Sequence, residues 1–295
     1  MENRRPPEKK ARKYEFTRDG SNRSRNGSSW VPGKRNVKKS EISGGHGKFL
    51  KEKREGKTDE IRINRYIANS GACSRRDADE LIRSGQVTVN GRLVTDFGTK
   101  VKYGDDVRLK NKKLSAEKKV YILMNKPKDY VTTVEDPHAD RTVLDLIGDG
   151  CTERVYPVGR LDKATTGVLL LTNDGELTGK LTHPRYNRKK IYHVFLDRDV
   201  ARNDLFRLTE GIDLDGENVA ADAVSYTDAE DRSQIGIELH SGKNRVIRRM
   251  FETLGYKVKK LDRVYFAGLT KKNLPRGKWR FLTEKEIVML KRGLF

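Results

Sequence analysis

Asp162 is the side chain best placed to do chemistry in this chain of 295 residues. It stands in "VYPVGRLDKATTGVLLLTNDGEL", residues 155–177, where two apolar runs of strand length flank a polar loop carrying Gly159, Arg160, Asp162 and Gly167. A carboxylate held between rigid strands can serve as a nucleophile. An Asp in a Gly- and Thr-bearing connection is also an ordinary turn residue, and local chemistry alone leaves both readings open. Other routes to catalysis find little support: there is no GxGxxG, Walker loop, HExxH helix or Ser-His-Asp ordering, and the five His residues form no ligand-spaced cluster. Cys73 and Cys151 are far apart and outside any CxxC, which argues against a disulfide framework and a cysteine zinc site and for a reducing compartment. No cofactor and no metal is expected.

The elements that must position Asp162 come from a long C-terminal segment. Its apolar pieces "VYILMN", "VYPVG", "VLLLTN", "IYHVFL", "IGIEL" and "YKVKKL" have strand length, while "TVLDLIG", "LFRLTEG" and "VIRRMFETLG" read as helices. Strands and helices do not alternate strictly, and the connections have hairpin length. The expectation is an α+β catalytic domain over 119–295, with a mostly antiparallel mixed β-sheet flanked by helices, rather than a doubly wound nucleotide-binding fold.

A smaller α+β unit precedes it, over 59–106. Ile63, Tyr66 and Ile67 follow helical spacing up to Gly71; Ser74 can cap a second helix with Asp77 three residues on, and Ala78, Leu81 and Ile82 form its buried stripe. The period then changes to two in Val87 and Val89, before Asn90-Gly91, a dipeptide suited to a tight hairpin turn. Arg62, Arg65, Arg75, Arg76 and Arg83 fall on the polar side of the helices, where guanidinium forks suit RNA phosphates; a merely solvated face is the plainer reading. The Lys-rich stretch over 107–118 reads as a linker.

Residues 1–58 carry 18 basic and 7 acidic side chains and few aliphatic ones, so they are expected to form a disordered basic tail that adds RNA affinity without sequence preference. The whole chain has 63 Lys and Arg against 42 Asp and Glu, a net charge of +21 that points to a nucleic acid partner. No apolar run has the ~20 residues of a membrane span, and the first residues are charged rather than apolar, so a cytoplasmic protein without membrane contact is expected. A monomer is the default in the absence of a long exposed apolar seam.

The segment "RINRYIANSGACSRRDADELIRSGQVTVNGRLV" resembles the S4-like RNA-binding domain, with its SRR and VxVNG elements. The run "GRLDKATTGVLLLTNDG" resembles the central motif of the bacterial ribosomal RNA pseudouridine synthases, both the small-subunit type and the large-subunit types B, E and F, and the likeness is greatest to type B. It continues through "MNKPKDYVTTVEDPHADRTVLDLI", "THPRYNRKKIYHV", "SGKNRVIRRMFETLGYKVKKLDRVYFAGL" and "LPRGKWRFLT". Three positions depart from the family pattern: Asp129 stands where a Gly often follows the Lys-Pro pair, Val246 where a Gln is frequent, and Lys243 where an Arg is.

The resemblance implies a cofactor-free isomerase that converts a uridine of ribosomal RNA, of the 23S large-subunit type, to pseudouridine. Asp162 would be the catalytic carboxylate, either attacking the sugar or assisting its deprotonation. Arg248 would pair with it, although a solvated helix charge is the alternative. Tyr192 would stack on the target base, although a core tyrosine fits the pattern equally well. Leu261 would pack against the base; Arg160, Arg245 and Arg249 would contact substrate RNA, and Lys126 would stand with them among the substrate-binding residues at the pocket, as a structural rather than reactive group. A catalytically silent RNA-binding factor and an RNA glycosidase that releases uracil are the competing classes; the combination of Asp162, Tyr192 and Arg248 speaks against the first, and product analysis separates the second.

Overall fold

A computed structural model describes residues 60–134 and 140–295. The basic tail expected over 1–58 lies outside the described residues, as does the 135–139 part of the motif that follows the Lys-Pro pair.

Ser74 starts its helix as its sequence implies: its hydroxyl accepts from the Asp77 N–H, and the Asp77 carboxylate accepts from the Ser74 N–H. The first module runs β1 (Glu60–Arg62), α1 (Ile63–Asn69), α2 (Arg75–Arg83), β2 (Val87–Val89), β3 (Arg92–Leu93), β4 (Lys100–Lys102), β5 (Val107–Leu109) and β6 (Lys112–Lys113). Asn90 and Gly91 both take positive φ and turn β2 into β3. The strands pair in the order β3-β2-β5-β6, and β1 pairs with β4.

The reading of 107–118 as a linker needs correction over 107–114, while 115–118 carries neither helix nor strand. Val107, Thr88 and their neighbours pair β5 with β2, and Val107 and Leu114 are buried in the same core as Ile63, Ile67 and Ile82. Two apolar anchors seven residues apart suffice to fold a Lys-rich hairpin onto the module, because the lysines between them point to solvent.

The second part contains β7 (Tyr121–Lys126), β8 (Tyr156–Pro157), β9 (Thr165–Thr172), α3 (Gly175–Thr182), β10 (Lys190–Leu196), α4 (Arg202–Glu210), β11 (Ile212–Leu214), β12 (Glu217–Val219), β13 (Ala223–Tyr226), β14 (Gln234–Leu239), α5 (Val246–Thr253), β15 (Val258–Phe266), β16 (Leu269–Thr270), β17 (Trp279–Phe281) and α6 (Glu284–Arg292). The main sheet follows the order β13-β14-β10-β15-β9-β7-β17, with β8 beside β9 and β16 beside β15. Among the described residues only β9 and β15 run parallel within it; the other pairs are antiparallel, so the sheet is mixed and mostly antiparallel as expected.

Alternation along the central strands sends side chains into separate cores. Tyr121 and Leu123 of β7, with Val168 and Leu170 of β9, pack with α3 and α6; Ile122, Met124, Leu169 and Leu171 face the opposite side with Val143, Ile147 and Leu161. A third core joins β10, β14 and β15 to α4 and α5.

Two departures concern helices. "TVLDLIG" is a series of turns ending in a single 3-10 turn at Gly148–Gly150. The Asp145 carboxylate accepts from the Thr142 N–H at 2.6 Å, and the Trp279 indole donates to the Leu146 carbonyl at 3.0 Å, so local and tertiary partners take the groups a helix would need. Helices α3 and α6 were not anticipated from the sequence.

Candidate active site

Asp162 sits in the loop between β8 and β9, three residues before β9 begins. Its carbonyl accepts from the Thr165 N–H at 2.9 Å, closing a turn. Behind that turn the Lys126 side chain, 0 % exposed, donates to the carbonyls of Thr165 at 2.9 Å, Pro127 at 3.1 Å, Asp162 at 3.2 Å and Lys163 at 3.3 Å. The Thr132 hydroxyl donates to the Leu161 carbonyl at 2.7 Å, and the Asp129 N–H donates to the Lys163 carbonyl. The loop is thus tied from the inside at the carbonyls of Leu161, Asp162 and Lys163, and of Thr165 where β9 begins. A buried ammonium with this many acceptors is an anchor for backbone, not a ligand for substrate, which corrects the placing of Lys126 among substrate contacts.

Burial lowers the Lys126 pKa to about 8, partly offset by the Asp129 and Asp162 carboxylates. Asp129 has φ of +70°, the left-handed region in which Gly is free of strain and Asp is tolerated. This accounts for the departure from Gly at that position: the backbone shape is kept, and the carboxylate adds charge beside Lys126.

One row across the sheet lines up the site. Tyr192 of β10 pairs with Arg263 of β15, Arg263 pairs with Gly167 of β9, and Gly167 pairs with Lys126 of β7. Side chains directly opposite one another share a face, so this row sets Tyr192 and Arg263 side by side, and both line the same cavity as Asp162. Asp162, Arg160, Tyr192, Leu261 and Arg245 all line one cleft, of about 180 Å³. Tyr192 is half-buried against two of the cores, so its ring is both packed and exposed to the cleft, while Leu261 is 6 % exposed.

Arg248 and Arg249 are not brought to the cleft wall. Arg248 is buried on α5 and donates to the Val258 carbonyl at 3.0 Å; burial lowers its pKa, and the neighbouring Asp162 charge counteracts that. Its guanidinium lies within electrostatic reach of Asp162 but the two do not form an ion pair within 4.0 Å, so the direct pairing read from sequence is absent from this structure. Arg249 pairs instead with Asp215 at 2.6 Å. Arg245 starts α5 in the left-handed region, φ +47°, and points that exposed side chain along the cleft rim.

Two functional candidates escaped the sequence reading. Lys190 lines the cleft, donates to the His240 carbonyl at 2.7 Å, and has its pKa lowered to about 8 by burial and by Arg263. Arg263, 2 % exposed, donates through Nε to the Val168 carbonyl, carries its guanidinium 4.7 Å from the centre of the Phe266 ring, and leaves Nη2 without a partner. Both cations occupy strand positions, where sequence gives no sign of which way a side chain points until the register is known.

The five arginines of the first module divide into separate groups. Arg62 and Arg83 flank the Phe97 ring, at 5.8 and 5.0 Å. Arg65 and Arg75 line a second cavity, and Arg76 is exposed. Among the described residues no group of three or more His, Cys, Asp and Glu side chains could hold a metal ion, and no helix is long and apolar enough to cross a membrane.

Residues 120–253 match the family described as RNA pseudouridylate synthase, and residues 61–107 match the S4 domain. The chain is 39 % identical over 233 residues to the ribosomal large subunit pseudouridine synthase B of Bacillus subtilis, covering 78 % of this chain and 95 % of that one. It is 36 % identical over 233 residues to the dual-specificity RNA pseudouridine synthase RluF of Escherichia coli, covering 78 % of each. A crystal structure of a pseudouridylate synthase superposes with a TM-score of 0.57 at 28 % identity, over 78 % of this chain and 99 % of that one.

Proposed function

Since the chain belongs to the RNA pseudouridylate synthase family and is an RNA pseudouridine synthase, we propose that it isomerises a uridine of large-subunit ribosomal RNA with Asp162 as the reacting carboxylate. The observation that carries this reading is the meeting of Asp162, Tyr192 and Leu261 in one cleft, over a loop clamped by a buried ammonium. Likeness to the ribosomal large subunit pseudouridine synthase B of Bacillus subtilis supports a large-subunit substrate.

Isomerisation breaks the bond from the ribose carbon to the uracil nitrogen, turns the base, and joins the same ribose carbon to a ring carbon. The ring carbon gives up its proton and the nitrogen gains one, so no atom is added and no electron acceptor is needed. The detached base must stay in place while it turns, which makes confinement part of catalysis. The target nucleotide is first flipped out of its stack, at a cost of a few kcal/mol that phosphate contacts and stacking offset. In this reading Tyr192 supplies the stacking face, Leu261 the apolar wall, Arg160 and Arg245 hold the backbone at the rim, and Asp162 reaches the ribose, whether it attacks the sugar carbon or takes a sugar proton.

Replacement of Asp162 by Asn keeps the loop's hydrogen bonds, which run through backbone carbonyls, and removes the charge. Pseudouridine formation in a ribosomal RNA transcript should fall at least about a thousandfold while RNA affinity changes less than about threefold. Retained turnover would overturn the assignment of Asp162, and release of free uracil by the unaltered protein would overturn the isomerase reading in favour of a glycosidase. Mapping pseudouridines in cells with and without the gene identifies the target; persistence of every ribosomal site would remove ribosomal RNA as the substrate.

A further inference from the structure

A cavity of about 690 Å³ opens where α1 and α2 meet the larger part of the protein. Arg65 and Arg75 contribute to it from the first module, Arg154 from the approach to β8, Tyr156 from β8 itself, and Tyr186 from the turn after α3. It adjoins the active-site cleft. Along α3, Gly175, Glu176, Gly179 and Lys180 face this cavity, whereas Leu181 and Thr182 face the cleft of Asp162. The β8 segment divides the same way, with Tyr156 on one side and Val158, Gly159 and Arg160 on the other.

The charge here is unbalanced. The guanidinium groups of Arg65 and Arg154 both act on the Tyr156 hydroxyl, and Arg75 stands at the start of α2 beside them, yet among the described residues none of the three has a carboxylate within 4.0 Å. The acids nearby are committed elsewhere: Asp77 caps α2, Glu176 pairs with Lys180 at 3.1 Å, and Glu117 accepts from the Arg154 N–H and the Asn173 amide. Three cations with no carboxylate in contact, and with the Asp77 charge within electrostatic reach of Arg154, repel one another, and an anion placed between them lowers that penalty. Beside them Tyr186 carries Arg185 at 4.5 Å and Arg188 at 5.5 Å from its ring centre, and Arg185 and Tyr186 give the cavity a flat cation and an aromatic ring against which a base can pack. An RNA duplex cannot enter a concavity of this size, but one unpaired nucleotide can.

We propose that this cavity binds an unpaired nucleotide flanking the target uridine, with a phosphate held by Arg65, Arg75 and Arg154 and the base against Tyr186. The proposal rests on the reading of the protein as an RNA enzyme. It makes α3 a divider over which the strand passes, with the target nucleotide on one side and its neighbour on the other.

The test uses the full chain, a fluorescein-labelled oligouridine of about twelve nucleotides, and an RNA duplex of similar length, followed by fluorescence anisotropy at several salt concentrations. For Arg154→Gln the Kd for the single strand should rise about tenfold and the slope of log Kd against log salt should fall by about 0.7, the contribution of one phosphate contact to a single strand. Duplex binding should stay within about twofold. Arg154→Lys should recover the slope but only part of the affinity, because a point charge does not replace a planar fork. Tyr186→Ala should weaken single-strand binding with the slope unchanged. If Arg154→Gln lowers the melting temperature, Arg65→Gln on the other wall carries the same expectation. Wild-type affinity and slope in both arginine variants would overturn the proposal, and so would equal losses on single strand and duplex, which would make the arginines part of a general basic surface. Pseudouridine formation by the unaltered protein is scored separately: its absence, with these binding changes present, would sink the isomerase reading and leave the cavity assignment standing.

Discussion

Lys126 and Lys190 both hold folded pKa values near 8, well below the ordinary lysine value, because burial strips their ammonium groups of water. Between about pH 8 and 10.5 the unfolded chain therefore binds more protons than the folded one, and stability must rise with pH across that window. Above about pH 10.5 the sign reverses, since burial raises the pKa of Tyr121 and Tyr156 and the folded chain then retains protons the unfolded chain has lost. Urea unfolding at pH 7.5, 8.5 and 9.5 should show the midpoint increasing, and Lys126→Met should flatten that increase while lowering stability at every pH, because carbonyls of the Asp162 loop lose their donor. A midpoint independent of pH in the wild type would refute the buried-ammonium account. Asp162 stood out as a candidate because a carboxylate lies in a Gly-bearing loop between two stiff apolar flanks, but that pattern fits a turn residue as well, and only the family resemblance singled it out. Lys126, Lys190 and Arg263 were not legible, because a cation in a strand reads as surface until the register shows it facing a carbonyl cage or a cleft.

Gly167 is where element geometry is least forgiving. Its φ is +109°, and a Cβ there would lie 2.1 Å from the Arg263 carbonyl and 2.7 Å from the Arg263 amide nitrogen. The contact is with backbone, so no side-chain rotation relieves it. This is the parallel pairing of β9 with β15, which sets Asp162 at one end and Arg263 and Leu261 beside it. Gly167→Ala should therefore destabilise the fold by roughly 3 kcal/mol or more, the range of steric and backbone strain in a core. Differential scanning calorimetry checks it: a melting temperature within about 2 °C of wild type would show that the strands can separate there without loss. At this scale the inner strands of the sheet were legible, since β7, β9, β10, β14 and β15 each bury long apolar runs on at least one face, whereas the edge strands β13 and β17 were not. Helices α3 and α6 were not either. Helix α3 buries only Leu177 and Leu181 in an otherwise polar stretch, and it starts because the Asp174 carboxylate accepts from the N–H groups of Glu176 and Leu177. Helix α6 has a full capping box, Thr283 with Glu286, but buries only Leu290, so the apolar period that marks a helix is faint in both.

At the scale of the whole molecule, the small module and the catalytic sheet are joined by more than a tether. The Glu117 N–H donates to the Asn69 carbonyl at the end of α1, while its carboxylate accepts from the Arg154 N–H at 3.1 Å and from the Asn173 amide at 2.9 Å. Asn173 in turn accepts from the Val120 N–H and donates to the Lys118 carbonyl, so Glu117 and Asn173 together tie the end of α1, the start of β7 and the end of β9. The reading of 107–118 as a plain spacer hid this, because charge and lack of apolar period say nothing of a carboxylate whose partners are groups distant in sequence. Removing the carboxylate leaves those donors without their acceptor and frees the joint while both cores stay intact. Glu117→Ala should cost about 1–3 kcal/mol of stability and expose residues 114–119 to proteolysis at least severalfold faster. It should also raise KM for a ribosomal RNA transcript more than it lowers kcat, since Asp162 and Tyr192 keep their supports while the arginines of α1 and α2 lose their fixed place relative to the cleft. Unchanged cleavage and unchanged KM would mean that the two modules are held by other contacts and that Glu117 only caps local backbone.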